Sequence, residues 1–444
     1  MNLPPLPKAF VHKPAVAGDR GLVAAQNLEA ARAGVEILEA GGNAVDAAIA
    51  TGFALGVVEP WMSGLGGGGA MLVWLAAEGR GWAIDMGMVA PRRLDPADYP
   101  LTGRSGGDLF GWPEVLGNRN LEGPLSICLP TWLAGIELAR SRFGTLPLAE
   151  LVRPALALAR RGLAVDGYAM TMIASSAAAL ARHPSAAALY LPGGQPPAPA
   201  WTGEPAILPL RALAETLERL AREGAESFYR GGIAADLARD LAEAGSRLEA
   251  ADLATCTAAV REPLAVPYRD ARVLAMPGLF AGATLARALE LLGATVLAGP
   301  GPDAAAYAAY ARALRTAQAE RLERMGDAGP APSCTSHLCV LDRHGNLVAL
   351  TQTLLSLFGS KVLSPRTGVL LNNGVMWFDP RPGRPNALGP GRRPLANMCP
   401  AIALAPDRRC ALGASGGRRI LPAVLQLLSF LLDYRTGLEA AFHT

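Results

Sequence analysis

The chain has 444 residues, of which 51% are hydrophobic and only 6% aromatic, which favours one large layered domain or a few smaller domains. Its 41 basic and 38 acidic residues leave a net charge of +3, and the arginine pairs are scattered along the chain. The near balance of basic and acidic residues, without a clustered basic patch, argues against a nucleic-acid partner.

The cysteines and histidines predict neither a metal site nor a disulfide framework. The six cysteines include no CxxC pair, and the five histidines form no HExxH or HxxxH motif. The N-terminus carries prolines and charges where a signal peptide needs an apolar run, and the uncharged stretches that reach the ~18 residues of a membrane helix, 60–77 and 183–203, are interrupted by glycines or prolines. We therefore expect a cytoplasmic protein with reduced thiols, no cofactor and no membrane partner.

Two helices are predicted near the start of the chain. Apolar residues recur at helical spacing over 28–40, the pattern stops at Gly41-Gly42, and Asn43 can cap a second helix that runs to about Val57. The second helix is apolar almost all round, which predicts a buried position. The glycines at 66–69 resemble a nucleotide loop, but they precede a strand and lack the GK[ST] ending, so we discount phosphate binding.

The middle of the chain is predicted to be mainly helical over 130–245. Breaks are expected at Gly144, Pro154 and Gly162 and around 191–201. A compact α/β segment follows at 268–292, and an alanine-rich stretch at 303–325 predicts one long helix.

The best-patterned part of the sequence is a β-hairpin centred near His344. Residues 337–341 alternate and contain β-formers, the letters DRHGN are typical of a turn, and 347–353 form a second strand. In this register Thr335 lies opposite Thr353, with Cβ atoms roughly 4.5 to 5.5 Å apart.

Three more strands and a helix are expected after the hairpin. A third strand ends in GVLLNNGVMWF at 368–378, and a fourth, MCPAIALA at 398–405, turns back as CALGAS. GGRR then starts an apolar helix from Ile420 to Tyr434.

Thr335 has two interpretations. Threonine is a common strand former, so it can simply begin the strand. Alternatively, it is a nucleophile, because the preceding loop GPAPSC is soft and Thr353 lies opposite. A threonine hydroxyl needs a base, and cleavage of the Cys334–Thr335 bond would free the threonine's own α-amine, which titrates near ~7.7 to 8.0.

Two further features are open to more than one reading. Gly416-Gly417 lies where a strand gives way to a helix, so its N–H groups can form an oxyanion hole, a phosphate nest or only a tight connection. Cys334 and Cys339 suggest a cysteine nucleophile with His337 as base, although plain core filling is the simpler reading.

Several motifs together resemble a known family. AGGNAVDAAIATGFALGVVEPWMSGLGGGGAML resembles the N-terminal signature of the γ-glutamyltransferase (glutathione hydrolase) family of N-terminal-nucleophile hydrolases. TSHLCVLDRHGNLVALTQT, TGVLLNNG and GASGGRRI resemble its small-subunit motifs. The likeness runs from about residue 20 to the end of the chain.

The resemblance implies an α+β fold, a four-layer αββα sandwich made as a proenzyme. Self-cleavage of the Cys334–Thr335 bond would give a large chain, 1–334, and a small chain, 335–444, that stay together as one domain. By position, Thr335 would be nucleophile and base, Thr353 would orient it, and Gly416 and Gly417 would form the oxyanion hole. The reaction would be acyl transfer from a small-molecule amide to water or an amine.

The substrate positions depart from the family pattern. The family's carboxylate-binding arginine is replaced by Gly87, its ammonium-binding aspartate by Trp377, and its serine pair by Ala396-Asn397. Leu355 stands where an asparagine is expected. Losing these groups removes a bidentate carboxylate partner and a counter-charge, which favours a less charged acyl group.

The chain also differs from the family in length. The segment between Asp327 and Thr335 is much shorter than usual, and the chain ends at Thr444, where the family continues. We expect either a fragment of a longer product or an exposed sheet edge that needs a partner, such as a second copy.

Three functions follow from these observations. The leading one is an autoprocessed amidohydrolase or acyltransferase with altered acyl recognition, such as an oxamate-type amidohydrolase or an acylase. A second is an unprocessed, non-catalytic member that acts by binding. A third is a glutathione hydrolase with rearranged recognition.

Overall fold

The computed structural model describes residues 14–106, 112–200, 202–297, 299–324 and 334–444. Its strands are β1 (Gly21–Ala25), β2 (Gly68–Leu75), β3 (Arg80–Met86), β4 (Leu101–Ser105), β5 (Pro113–Val115), β6 (Leu163–Val165), β7 (Ala206–Leu208), β8 (Ala259–Arg261), β9 (Leu264–Tyr268), β10 (Ala271–Ala275), β11 (Cys334–Asp342), β12 (Leu347–Leu355), β13 (Ala401–Leu404) and β14 (Arg409–Leu412). Its helices are α1 (Leu28–Glu39), α2 (Ala44–Val58), α3 (Trp132–Phe143), α4 (Leu148–Arg161), α5 (Gly167–Leu180), α6 (Pro184–Tyr190), α7 (Arg211–Glu223), α8 (Ser227–Arg230), α9 (Gly232–Ala244), α10 (Ala250–Leu253), α11 (Gly282–Gly293), α12 (Ala304–Arg324), α13 (Ile420–Leu432) and α14 (Leu438–His443).

Two antiparallel sheets form the centre of the molecule. The larger has the order β1-β11-β12-β2-β3-β8, and the smaller has the order β14-β13-β10-β9. The predicted hairpin, β11 with β12, therefore lies inside the larger sheet and not at its edge. Short two-stranded sheets, β4-β5 and β6-β7, lie outside this centre.

Side-chain alternation along the strands divides the core into three layers. On β12, Val348 and Leu350 belong to a core shared with helices α1 to α4. Leu347 and Ala349 point the other way and pack with residues of the smaller sheet such as Ile402. The far face of the smaller sheet packs against α11, α12 and α13. This arrangement is the four-layer αββα sandwich that the resemblance implies.

The early helices form as predicted. Asn43 caps α2, accepting from the backbone N–H groups of Val45 and Asp46, while the Asp46 side chain accepts from the N–H of Asn43. This capping box fixes where the helix begins. Nearly every residue of α2 is buried, which accounts for its all-round apolar sequence.

Two details of the predicted elements are wrong. The segment 368–378 makes only isolated bridges, at Leu370 and Leu371, and then a 3-10 turn over Gly374–Trp377 instead of a third strand. Pro154 lies inside α4 instead of ending a helix. In the described part of the chain, every helix is too short or too polar to cross a membrane.

Candidate active site

The hairpin register is as predicted up to the start of β11. His337 pairs with Thr351 and Ser336 with Gln352, and an irregularity then shifts Cys334 to pair with Leu355. A bulge therefore begins the strand at the residue singled out by sequence.

The bulge brings two threonine hydroxyls together. Thr335 Oγ1 donates to Thr353 Oγ1 at 3.4 Å, and the same Thr353 oxygen accepts from the backbone N–H of Leu355 at 2.8 Å. Thr335 and Thr353 are only 3% and 1% exposed. Leu355 adopts φ 88°, a left-handed conformation that is strained for leucine. Thr353 is thus held by its own strand while it contacts Thr335.

The glycine run at 66–69 packs directly beneath this pair. A Cβ at Gly67 would collide with the Thr353 carbonyl oxygen, and one at Gly66 with the Leu370 carbonyl oxygen. Gly68 pairs with Thr353 across the sheet. These glycines allow close backbone approach, which gives the run a packing role.

A buried polar network lies on the helix-facing side of the same strands. Ser63 Oγ donates to Ser336 Oγ at 3.1 Å and accepts from Gln352 Nε2 at 2.9 Å. The Gln352 amide also donates to the Gly52 carbonyl and accepts from the Trp132 indole. Sequence reasoning missed this network, although polar residues at helix-facing positions of two buried strands were a visible signal.

Gly416 and Gly417 form the turn that leads into α13. Gly416, with φ 118°, immediately precedes the 3-10 turn Gly417–Arg419, and Gly417, with φ 60°, is the first residue of that turn. Among the described residues, neither backbone N–H has an intramolecular acceptor. The turn therefore presents two unused donors at a helix N-terminus.

The segment that precedes this turn contacts β11 at His337. Gln26 accepts from the backbone N–H of His337 at 3.2 Å, and its amide donates to Ser415 Oγ at 3.1 Å. A Cβ at Gly413 would collide with the His337 ring. The segment that leads to Gly416 thus runs against the first residues of β11.

His337 and Cys339 do lie on one strand face, but their environment does not suit nucleophilic catalysis. The His337 ring contacts Thr351 Oγ1 at 2.9 Å and Cys339 Sγ at 3.1 Å. Burial lowers the pKa of His337 to about 3 and raises the pKa of Cys339 to about 12. The neutral imidazole and protonated thiol argue against the cysteine alternative. The side chain of Cys334 lies outside the described residues.

The substituted recognition positions gather in one apolar cluster. Leu355, Trp377 and Ala396 are 1%, 4% and 3% exposed and belong to the core between the two sheets. Because Leu355 pairs with Cys334, this cluster reaches the residue beside Thr335. Asn397 is partly exposed at the edge of the cluster.

An arginine fills the space beside Gly87. A Cβ at Gly87 would lie 2.5 Å from Arg393 Nη2 and 3.3 Å from the Phe280 ring. Arg393 and Arg261 both donate to the buried carboxylate of Asp85, each with a 3.0 Å contact to Oδ2. Although burial alone would raise the pKa of Asp85, the Arg393 and Arg261 guanidinium groups hold it below its usual value.

Comparison with known proteins decides the family. The sequence model of the gamma-glutamyltranspeptidase family matches residues 30–333 and 328–444. The chain belongs to this family. The two matched stretches overlap over 328–333, just before Thr335, where the sequence predicts a shortened segment.

Named relatives include both acylases and glutathione hydrolases. The chain is 36% identical to the acylase ACY 1 proenzyme of Pseudomonas sp. strain V22, covering 99% of this chain and 85% of that protein. It is 32% identical to the glutathione hydrolase proenzyme of Escherichia coli, covering 96% and 80%. The chain is thus a member of a family of amide-bond hydrolases and transpeptidases made as proenzymes.

Solved structures agree with the fold. Cephalosporin acylase from Bacillus halodurans superposes with a TM-score of 0.83 at 25% identity, covering 100% of this chain and 86% of that chain. Helicobacter pylori gamma-glutamyltranspeptidase gives 0.62 at 28% identity, covering 71% and 86%.

Proposed function

We propose that this protein is an N-terminal-threonine amidohydrolase that cuts its own Cys334–Thr335 bond and then hydrolyses amides with an apolar acyl group. The observation that carries the proposal is the contact between Thr335 and Thr353 at the bulged start of β11. Family membership supplies the reaction class, and the apolar cluster around Leu355 and Trp377 supplies the acyl preference.

The proposed self-cleavage divides the chain into 1–334 and 335–444. Thr335 Oγ attacks the Cys334 carbonyl, the C–N bond breaks, and the ester that forms is hydrolysed by water. The released α-amine of Thr335 then remains beside its own hydroxyl, where it can accept the hydroxyl proton in later turnovers.

The proposed turnover uses the same hydroxyl. Thr335 Oγ attacks the substrate carbonyl as its proton passes to the α-amine, and the N–H groups of Gly416 and Gly417 stabilise the negative charge on the carbonyl oxygen. The amine then protonates the leaving nitrogen, and water releases the acyl group from the ester. Thr353 holds the attacking oxygen in place through the 3.4 Å contact.

Recognition of the acyl group is proposed to be apolar because Leu355, Trp377 and Ala396 offer no charge. A γ-glutamyl group carries both an ammonium and a carboxylate, and burying either against such a surface without a partner is costly. Proteins named as acylases are among the relatives, which supports an acyl group other than γ-glutamyl.

The test compares kcat/KM of processed enzyme for phenylacetyl-p-nitroanilide and γ-glutamyl-p-nitroanilide. We expect the phenylacetyl amide to react at least about tenfold faster, in line with hydrophobic-pocket discrimination. A higher kcat/KM for γ-glutamyl-p-nitroanilide than for phenylacetyl-p-nitroanilide would instead support a glutathione hydrolase with rearranged recognition. A chain that stays uncut and turns over neither amide, nor an N-acyl cephalosporin, would support the unprocessed, non-catalytic alternative.

A further inference from the structure

A cavity of about 580 Å³ opens where β1 meets α1. It is lined by Gln26 to Glu29, Glu59, Asp166 and Tyr168. Gln26 joins this cavity to the first residues of β11, since its other contacts are His337 and Ser415. The cavity has no part in the proposed acyl transfer.

Glu59 is the unusual residue of this cavity. It follows the last turn of α2 and is only 3% exposed. Its Oε2 is buried without a hydrogen-bond partner among the described residues. A buried carboxyl oxygen normally has a hydrogen-bond partner. A bound ligand could supply the donor that this oxygen lacks among the described residues.

The charges facing Glu59 are mainly negative. Asp166 caps α5 by accepting from the Ala169 N–H at 2.8 Å, which leaves its charge at the cavity. Glu29 is paired with Arg161, whose hydrogen bonds lower the pKa of Glu29. Burial, with a smaller contribution from Asp166, raises the pKa of Glu59 to about 7.

An aromatic ring completes the cavity. Tyr168 is 46% exposed, and its ring forms a T-shaped pair with the ring of Trp61, with centroids 5.8 Å apart. Trp61 lies two residues after Glu59, so the ring and the carboxyl belong to one local structure. An exposed aromatic face beside carboxylates is the arrangement that attracts organic cations.

We propose that this cavity binds a small organic ammonium ion, held by Glu59 and Asp166 against the ring of Tyr168. The described residues contain no group of three side chains spaced to hold a metal ion. A wide cavity with one aromatic side suits an ammonium group with carbon substituents better than a compact divalent cation.

The test measures binding of ethylammonium chloride by calorimetry to the full chain at constant ionic strength. Because Glu59 must ionise to pair with a cation, we expect affinity to rise about tenfold between pH 6 and pH 8. Glu59→Gln should weaken binding at pH 8 at least fivefold and remove this pH dependence. Glu78→Gln, an exposed carboxyl elsewhere, should change neither.

A second variant covers the chance that Glu59→Gln unfolds the protein. Asp166→Asn keeps the helix cap, because asparagine caps as well as aspartate, but removes the charge. We expect weaker binding and a lower pH midpoint, since Asp166 no longer raises the pKa of Glu59. Absence of ethylammonium binding, binding of Ca²⁺ instead, or unchanged binding in both variants would overturn the proposal. None of these results bears on catalysis by Thr335.

Discussion

The hydroxyl of Thr335 lies 3.4 Å from the hydroxyl of Thr353, at a bulge where β11 and β12 leave their regular register. Regular pairing continues through Ser336 and Gln352. The sheet therefore holds Thr353 rigidly, while the bulge separates Thr335 from the regular ladder.

Removing the Thr353 hydroxyl should lower activity and also cost some stability, because this hydroxyl accepts from the buried backbone N–H of Leu355. Thr353→Val keeps the side-chain shape but loses the contact with Thr335, and we expect kcat to fall by about 100-fold. Steady-state kinetics on phenylacetyl-p-nitroanilide measure the effect. Thr351→Val is the matched control, because its hydroxyl contacts His337 on the same strand face. Equal losses in both variants would assign the effect to general damage of β12.

Gly416→Ala tests the proposed oxyanion turn. A Cβ at φ 118° strains the backbone by about 1 to 3 kcal/mol and shifts the N–H donors, so we expect kcat to fall by about 10²- to 10³-fold. Gly203→Ala also substitutes a left-handed glycine, at φ 89° with no atom nearby. That control should lose stability in a thermal melt but retain kcat. A Gly416→Ala enzyme with normal kcat would exclude the oxyanion role.

Trp377→Leu tests acyl recognition. A smaller side chain in the cluster should reduce kcat/KM for the phenylacetyl amide relative to the acetyl amide by about tenfold. The ratio of the two substrates cancels any loss of folded enzyme. Trp82→Leu, on a different part of the larger sheet, should leave the ratio unchanged. If Trp377→Leu left the ratio of the two kcat/KM values unchanged, Trp377 would have no role in recognising the acyl group.

Acid should destabilise the protein through His337. Burial lowers the pKa of this imidazole to about 3, whereas an unfolded histidine titrates near ~6.5. The unfolded chain therefore binds a proton that the folded chain rejects, and stability falls as pH drops below about 6.5, by about 2 to 3 kcal/mol at pH 4.

Urea unfolding of the uncut Thr335→Ala chain at a series of pH values measures how the free energy of unfolding changes with pH, which is the slope of interest. Adding His337→Gln should flatten it, while His344→Gln, at the exposed hairpin turn, should preserve it. A slope that persists without His337 would point to another buried group.

Local patterns made part of this structure predictable. The alternation from His337 onward set the hairpin register, and Asn43 marked the start of α2, because each depends on neighbours in sequence. The bulge at Thr335 was not visible, because the alternation of residues along β11 gives no sign of the shift that pairs Cys334 with Leu355.

Other features depend on distant residues. The expected third strand does not form because the Asn372 side chain takes the place of strand-pairing hydrogen bonds. Its amide group donates to the carbonyl groups of Gly66 and Cys128, and its carbonyl oxygen accepts from the backbone N–H of Gly374. Glu59, whose buried Oε2 has no hydrogen-bond partner within the described part of the chain, gave no sequence signal either. The division at residue 334, the catalytic roles and the cytoplasmic location remain predictions.

The central claim is that Thr335 becomes an N-terminus. The most direct measurement is intact mass with N-terminal sequencing of purified protein after long incubation, with Thr335→Ala as control. We predict two fragments from the wild type, one beginning at Thr335, and a single 46.0 kDa chain from the variant. A wild-type protein that remains one 46.0 kDa chain would contradict the claim.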